Sequence, residues 1–250
     1  MDGNQHAPAA GSAAAGTIPS PTQGPRDRRE FLRAAGAGGI ALALAACADG
    51  PSGVVAPTAP GAPTQAIVNG NNITLDFSTD VDVLNYAFAL EQLEAAFYTQ
   101  VVTHPQFAST FPSQAEQTIL RDLRDHEVVH RDFFAAALGS ARIPDLTPIF
   151  TAVTFTDRTS VLQTAQTFED LGVGAYNGAG RFLRSAALLT VAGKIVSVEA
   201  RHAAAIRAVL NGNRSTAFAP AAFDPALPPA QVLAAAAPFI AQNITVINAG

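Results

Sequence analysis

Glu127-Val-Val-His130 and Glu199-Ala-Arg-His202 are the two segments that decide how this chain folds. In an α-helix, residues i and i+3 lie on the same face, so each segment presents a carboxylate beside an imidazole. A single pair of this kind arises easily by chance on a solvated helix. Two pairs on alternate helices, each preceded by a helix with its own core glutamate, form a far more specific pattern.

The two core glutamates are Glu91 and Glu169, which stand inside long apolar stretches of helical period. Apolar residues lie three, four and seven positions from each of them, and a solvated helix face would not show this pattern. An unpaired carboxylate is costly in such a position. Four carboxylates and two imidazoles on four helices are the ligand set of a dinuclear site inside a four-helix bundle.

Electrostatics favour two bound cations at such a site. Four converging carboxylates repel one another and shift towards protonation. Two divalent ions balance four negative charges, leaving the imidazoles as neutral ligands. Mixed oxygen and nitrogen ligands favour two iron ions, with manganese as the alternative and zinc less favoured.

Residues typical of helix starts and helix ends mark the limits of the predicted helices. The first helix begins at Ser78, Thr79 or Asp80, the second runs from Ser113 to Gly139, the third begins near Asp157, and the fourth ends at Asn211-Gly212. Glu116 lies three residues after Ser113, as in a capping box, and this structural role removes it from the candidate ligands. Residues 140–156 contain two prolines and are too long for a tight turn. They predict a long crossover between the second and third helices.

The predicted fold is therefore all-α, a four-helix bundle over residues 66–212, with a small N-terminal hairpin in residues 66–77. Residues 213–250 form a C-terminal extension with a short helix. Residues 48–65, rich in Pro, Gly, Ala, Ser and Thr, are typical of a flexible linker.

Residues 1–47 have the features of an export signal. Arg28-Arg29 lies in a stretch that resembles a twin-arginine motif, and the apolar run that follows is too short to span a bilayer. The run ends at Leu44-Ala-Ala-Cys47, which resembles a lipoprotein box. We expect an exported protein of the periplasm or cell envelope, anchored through a lipid on Cys47; ordinary cleavage to a soluble exported form is the alternative.

Charge and cysteine content exclude several classes of function. The formal net charge is −5 and the chain contains a single lysine, so a nucleic-acid partner is not expected. Cys47 is the only cysteine, which excludes an internal disulfide and a thiolate-rich metal site.

Several further residues are candidates for supporting the site. Glu94 lies one turn after Glu91, and can be a ligand, a neighbour of the ligands or a solvent-reaching residue. Tyr98 and Tyr176 each follow a core glutamate by seven residues, so their hydroxyls can bond to a ligating carboxylate or elsewhere. Asp122, Asp125 and Asp170 are candidates for orienting the imidazoles, whereas His104 and His126 are expected to be surface residues away from the site.

Residues 84–98, 125–134 and 196–202 resemble the ferritin-like superfamily, in particular the exported ferritin-like domains that include desiccation-related proteins. The resemblance covers about residues 78–212. It implies six metal ligands: Glu91, Glu127, His130, Glu169, Glu199 and His202. Members of this superfamily include iron stores, oxidases, peroxidases and manganese catalases, so the resemblance alone does not determine an activity.

These observations lead to two hypotheses for function. The first is a di-iron carboxylate protein that reacts with O2 or peroxide in the cell envelope. The second is a non-catalytic domain of the same fold that sequesters metal, uses it structurally, or works without metal in stress protection.

Overall fold

The computed structural model describes residues 66–212 and 218–250. The predicted signal segment 1–47, its Cys47 and the predicted linker 48–65 lie outside the described residues. Within the described part, no helix combines the length and the apolar character needed to cross a membrane.

Four long helices form the bundle, and the predicted architecture is confirmed. They are α1 (Asp80–Thr103), α2 (Gln114–Leu138), α3 (Arg158–Ala179) and α4 (Ala186–Leu210). Each begins at a residue whose side chain accepts a hydrogen bond from the first turn: Thr79, Ser113, Asp157 and Ser185. Glu116, expected to complete a capping box, instead pairs through its carboxylate with Arg158 at 2.7 Å.

The crossover between α2 and α3 is held to the bundle by buried amides of α1. Asn85 accepts from the backbone N–H of Ile143 at 2.8 Å and donates to the carbonyl of Ala141 at 2.9 Å. Further along, the side chain of Gln92 accepts from the N–H of Leu146 at 2.8 Å. These bonds satisfy backbone groups of an irregular segment that lies against the core.

A small sheet closes one end of the domain. The predicted hairpin is present as β1 (Ile67–Asn69) and β2 (Asn72–Asp76), which pair antiparallel. A third strand, β3 (Asn243–Ile247), pairs parallel with β2 and was not predicted. The expected C-terminal helix is α5 (Pro229–Ala236), which continues as a single 3-10 turn before β3.

The C-terminal extension also packs directly onto α3, where two glycines leave room for it. The N–H of Leu227 donates to the carbonyl of Gly174 at 2.9 Å. A Cβ on Gly178 would lie 1.8 Å from the carbonyl oxygen of Leu227. Close approach of this segment therefore depends on glycine at position 178.

This contact predicts opposite effects for two helical glycines. Gly178→Ala is expected to lower the free energy of unfolding by several kcal/mol, because the extension has to move away from α3. Gly193→Ala is expected to raise it by about 0.5–1 kcal/mol, because Gly193 lies within α4 with no atom near the added methyl group. Urea denaturation of both variants measures the difference, and equal effects would contradict the packing described.

Candidate metal centre

The middle of each bundle helix places one glutamate in the interior. Glu91 is 1% exposed, and Glu127, Glu169 and Glu199 are 0% exposed. His202 is buried as well, and His130 lies at the edge of the cluster with 12% of its side chain exposed. The structure thus brings together all six residues that the sequence predicted as ligands.

The six residues form two overlapping groups of potential metal ligands. One group consists of Glu91, Glu127, His130 and Glu199; the other consists of Glu127, Glu169, Glu199 and His202. Within each group, one ligand atom from every residue lies within 4.8 Å of the others. Glu127 and Glu199 belong to both groups, the arrangement that bridging carboxylates require.

Each imidazole presents its Nδ1 atom to three carboxylates. Nδ1 of His130 lies 2.9 Å from Glu199 Oε1, with Glu127 and Glu91 at 3.3 and 3.5 Å. The corresponding atom of His202 lies 2.8 Å from Glu127 Oε1, with Glu199 and Glu169 at 3.4 and 3.5 Å. The two histidines therefore have matching surroundings: each lies near the glutamate of its own helix, the glutamate of the preceding helix, and the shared glutamate of the other pair.

The hydrogen bonding at this centre is incomplete in a way that fits metal ligation. Eight buried side-chain atoms of the described residues have no hydrogen-bond partner of acceptable geometry, and two of them, on Tyr86 and Gln92, lie outside this centre. The other six are Oε2 of Glu91, Oε1 of Glu127, Oε2 of Glu169, both carboxylate oxygens of Glu199, and Nδ1 of His202. Native proteins rarely leave buried polar atoms unpaired. Because these atoms all belong to the two groups, a cation between them would satisfy them together.

Two tyrosines hold the outer oxygens of the core glutamates across the bundle. The Tyr98 hydroxyl on α1 donates to Oε1 of Glu169 on α3 at 2.5 Å. The Tyr176 hydroxyl on α3 donates in the opposite sense to Oε1 of Glu91 on α1. Each tyrosine therefore forms a hydrogen bond with one oxygen of a carboxylate and leaves the second oxygen facing an imidazole. A carboxylate that binds a metal through a single oxygen has this arrangement.

Glu94 lies beside the centre but belongs to neither group of ligand atoms. It is 4% exposed, and a Cβ on Gly172 would lie 3.1 Å from its Oε1. Glycine on α3 therefore makes room for this carboxyl group. Burial, and then the negative charges of the neighbouring glutamates, raise the pKa of Glu94 well above its ordinary value.

His126 contacts the centre, contrary to the expectation that it lies away from it. Its Nδ1 is 2.9 Å from Nε2 of His202, and the two rings stack at 13°. The sequence contained a signal for this, since His126 is four residues before His130 and shares its helix face. Of the three candidate aspartates, Asp125 pairs with Arg124 and Asp170 pairs with Arg207, while Asp122 is exposed.

Burial and the crowding of charge shift the pKa values of several groups at this centre. Burial and the charge of Glu199 raise the pKa of Glu127 to about 8, and burial raises that of Glu169 to about 7 against the opposing effect of His202. Burial opposes the charged form of His202, but contacts with three glutamates raise its pKa to about 12. Burial also opposes ionisation of Glu199, yet the two imidazoles lower its pKa to about 2. Protons thus balance part of the buried negative charge.

A family comparison agrees with this architecture. The model of the ferritin-like domain matches residues 79–212, which span the four helices and all six cluster residues. The chain thus combines a helical bundle with a buried cluster of carboxylates and histidines. The matching model shows that it belongs to the ferritin-like domain family. A search of curated proteins found no match.

The donor set fits metal ions. Carboxylate oxygens and imidazole nitrogens are hard to borderline ligands, suited to iron, manganese or zinc. The cluster is compatible with a dinuclear site, in which each ion would be held by one of the two groups and Glu127 and Glu199 would be shared.

Metal affinity is expected to rise with pH. At neutral pH, His202 and much of Glu127 carry protons in the metal-free centre, and a bound cation has to displace them. Each proton released should raise the affinity about tenfold per pH unit between pH 6 and 8. Calorimetric titration with Mn²⁺ in buffers of different ionisation enthalpy counts the protons released, and an affinity independent of pH would contradict this account.

Proposed function

We propose that this protein is an exported di-metal carboxylate protein that binds two iron ions and reacts with O2 or peroxide in the cell envelope. The observation that carries the proposal is the pair of ligand groups that share Glu127 and Glu199. A single structural ion would need only one such group. Manganese is the alternative metal, and zinc is less favoured because it has no redox chemistry.

The bound ions would supply the electrons for reducing the oxidant. The protein's own contribution is position and charge. Glu91, Glu127, Glu169 and Glu199 neutralise the cations in a dry interior, and Tyr98 and Tyr176 keep two of these carboxylates in one orientation. Such preorganised charge acts strongly where water is excluded.

Reduction of peroxide to two water molecules also consumes two protons, and the chain places proton-bearing groups at the centre. Burial and the neighbouring glutamates raise the pKa of Glu94 well above its ordinary value, which favours the protonated form of its carboxyl group. His126 is exposed and contacts His202, so it links the centre to solvent. We assign proton supply to Glu94 and orientation of the His202 ring to His126.

The proposed location rests on the sequence of residues 1–47. A twin-arginine signal exports folded proteins, so the metal centre can be assembled before export. Lipidation of Cys47, followed by an 18-residue linker of flexible composition, would hold the bundle near a membrane surface. Membership of the desiccation-related group, and a role in stress, belong to this proposal.

The second candidate is a metal-binding domain without turnover. It is favoured by the dense burial of the cluster, since Glu127, Glu169 and Glu199 expose no surface to an incoming substrate. In this case the ions would act as a structural staple or a store. A third reading, a metal-free stress domain, would leave the six unpaired atoms without a function.

Replacement of a shared ligand distinguishes these candidates. Contacts around metal ligands contribute about 10–100-fold to affinity or activity, so loss of a bridging carboxylate in Glu127→Gln should lower peroxide or ferroxidase turnover by more than about 100-fold. Bound iron, measured by mass spectrometry, should fall below two ions per chain. The matched control is Glu116→Gln, which alters a glutamate that pairs with Arg158 and should leave both quantities unchanged.

Three results are informative in this experiment. Two ions with turnover in the parent protein support the leading proposal. Two ions without turnover support the staple or store. A parent protein that binds no iron or manganese after reconstitution contradicts both metal-binding candidates.

Cys47→Ser tests the anchor separately. The parent protein is expected in the membrane fraction and in the detergent phase of a Triton X-114 partition, because an acyl chain would be attached through the thiol. The Ser variant is expected to be absent from the detergent phase, and a parent protein confined to the aqueous phase would contradict lipidation.

Replacement of Arg28 and Arg29 by lysine should retain the precursor in the cytoplasm.

A further inference from the structure

The two groups of candidate ligands differ at one nitrogen of their histidines. Both imidazoles present Nδ1 to three glutamates, and both core glutamates accept a hydrogen bond from a tyrosine on the opposite helix. At the other ring nitrogen the match ends. Nε2 of His202 lies 2.9 Å from Nδ1 of His126, whereas no described residue forms a hydrogen bond with Nε2 of His130.

This difference has its origin at one pair of equivalent positions in the sequence. The residue before the shared glutamate is His126 on α2 and Val198 on α4. Because both helices carry the glutamate and the ligand histidine at the same spacing, position 198 on α4 corresponds to position 126 on α2. The side chain of valine has no hydrogen-bonding group. Helix α4 therefore offers His130 no bond like the one that α2 offers His202.

The bond to His126 determines how His202 can bind a cation. A cation at Nδ1 of His202 needs the lone pair of that nitrogen, so the ring proton has to lie on Nε2. Nε2 then donates this proton to Nδ1 of His126 in a hydrogen bond. The two rings are only 13° from parallel, and their contact limits rotation of the His202 ring. Partners of this kind contribute about 10–100-fold to metal affinity.

Burial distinguishes the two groups in the same direction. Every member of the group that contains His202 is buried, whereas His130 exposes 12% of its side chain in the other group. Charges attract each other more strongly where water is excluded. Both differences therefore favour a cation beside His202 over a cation beside His130.

We propose that His126 makes the two metal positions unequal, so that the first cation binds to the group that contains His202 and the second completes the group that contains His130. His126 is a positioning residue, since it contacts a ligand rather than a cation. Because Glu127 and Glu199 are shared, a first ion weakens a second ion at either position, and the inequality is seen in which histidine holds the first ion. This order of loading rests on the di-metal function proposed above.

Titration of the purified protein with Mn²⁺ shows which histidine holds the first ion. Calorimetry measures the affinity of that ion, and EPR spectroscopy at one Mn²⁺ per chain should show isolated ions rather than coupled pairs. His202→Gln is expected to lower the affinity for the first ion by more than about tenfold, and His130→Gln by less than about threefold. The two variants are a matched pair, because each removes one imidazole that faces three glutamates.

Substitutions at position 126 test the hydrogen bond itself. His126→Val gives α2 the residue that α4 has, and should lower the affinity for the first ion by about tenfold or more. His126→Asn places a carbonyl oxygen near the position of Nδ1 and should keep the affinity within about threefold of the parent, because that oxygen accepts the bond from His202. Since His126 is exposed, both variants are expected to fold, and urea denaturation checks this.

The reverse substitution on α4 should strengthen the second position. Val198→His gives His130 a partner for Nε2 and is expected to raise the affinity for the second ion by about tenfold. Combined with His126→Val, it should reverse the order of loading, so that His130→Gln then costs more first-ion affinity than His202→Gln. Position 198 is half-buried, so its replacement does not open the core.

Several outcomes overturn the proposal. Equal losses in His130→Gln and His202→Gln contradict it, as do parent affinity in His126→Val and an equal loss in His126→Asn. A parent protein that binds no Mn²⁺ removes it together with the proposed function. Two bound ions with normal turnover and no preferred histidine remove only the order of loading, whereas ordered loading without turnover supports it and removes only the catalytic activity.

Discussion

Four carboxylates are buried at the middle of this helical bundle, and the neighbouring residues have to accommodate their charge. Glu127, Glu169 and Glu199 have no exposed surface and Glu91 almost none. Mutual repulsion and lost hydration would make such a core unstable unless positive charge enters it. The protein supplies part of that charge through two imidazoles, and the two groups of donor atoms could bind cations that supply the remainder.

Several residues around the four carboxylates hold them in place or leave space for a neighbouring carboxyl group. Tyr98 and Tyr176 each hold one oxygen of a glutamate on the opposite helix, so the carboxylates keep their orientation without a bound ion. Gly172 leaves space for the carboxyl group of Glu94 beside the cluster. An apolar cavity lies near this charged centre, since Tyr176 lines the cavity and its hydroxyl bonds to Glu91.

The features of this fold that could be predicted depend on residues close together in the sequence. Three-residue spacing in Glu127-Val-Val-His130 and Glu199-Ala-Arg-His202, together with apolar periodicity around Glu91 and Glu169, was sufficient for four helices and six candidate ligands. Capping residues gave the starts of the first three helices within one or two positions, whereas no start was predicted for α4. Strand β3 escaped prediction because its short alternating pattern has meaning only beside β2, more than 160 residues earlier in the chain. His126 escaped because its contact lies on another helix.

Which side chains face the interior follows from residue order alone, since helical period and residue polarity are properties of neighbouring positions. How those side chains meet is visible only in the folded chain: Glu127 and Glu199 are shared between two groups, the tyrosines bond crosswise, and the extension after α4 packs on Gly178. These relations depend on distances of a few ångströms between separate helices. Such distances are set by packing the whole core at once, and no spacing along the chain encodes them.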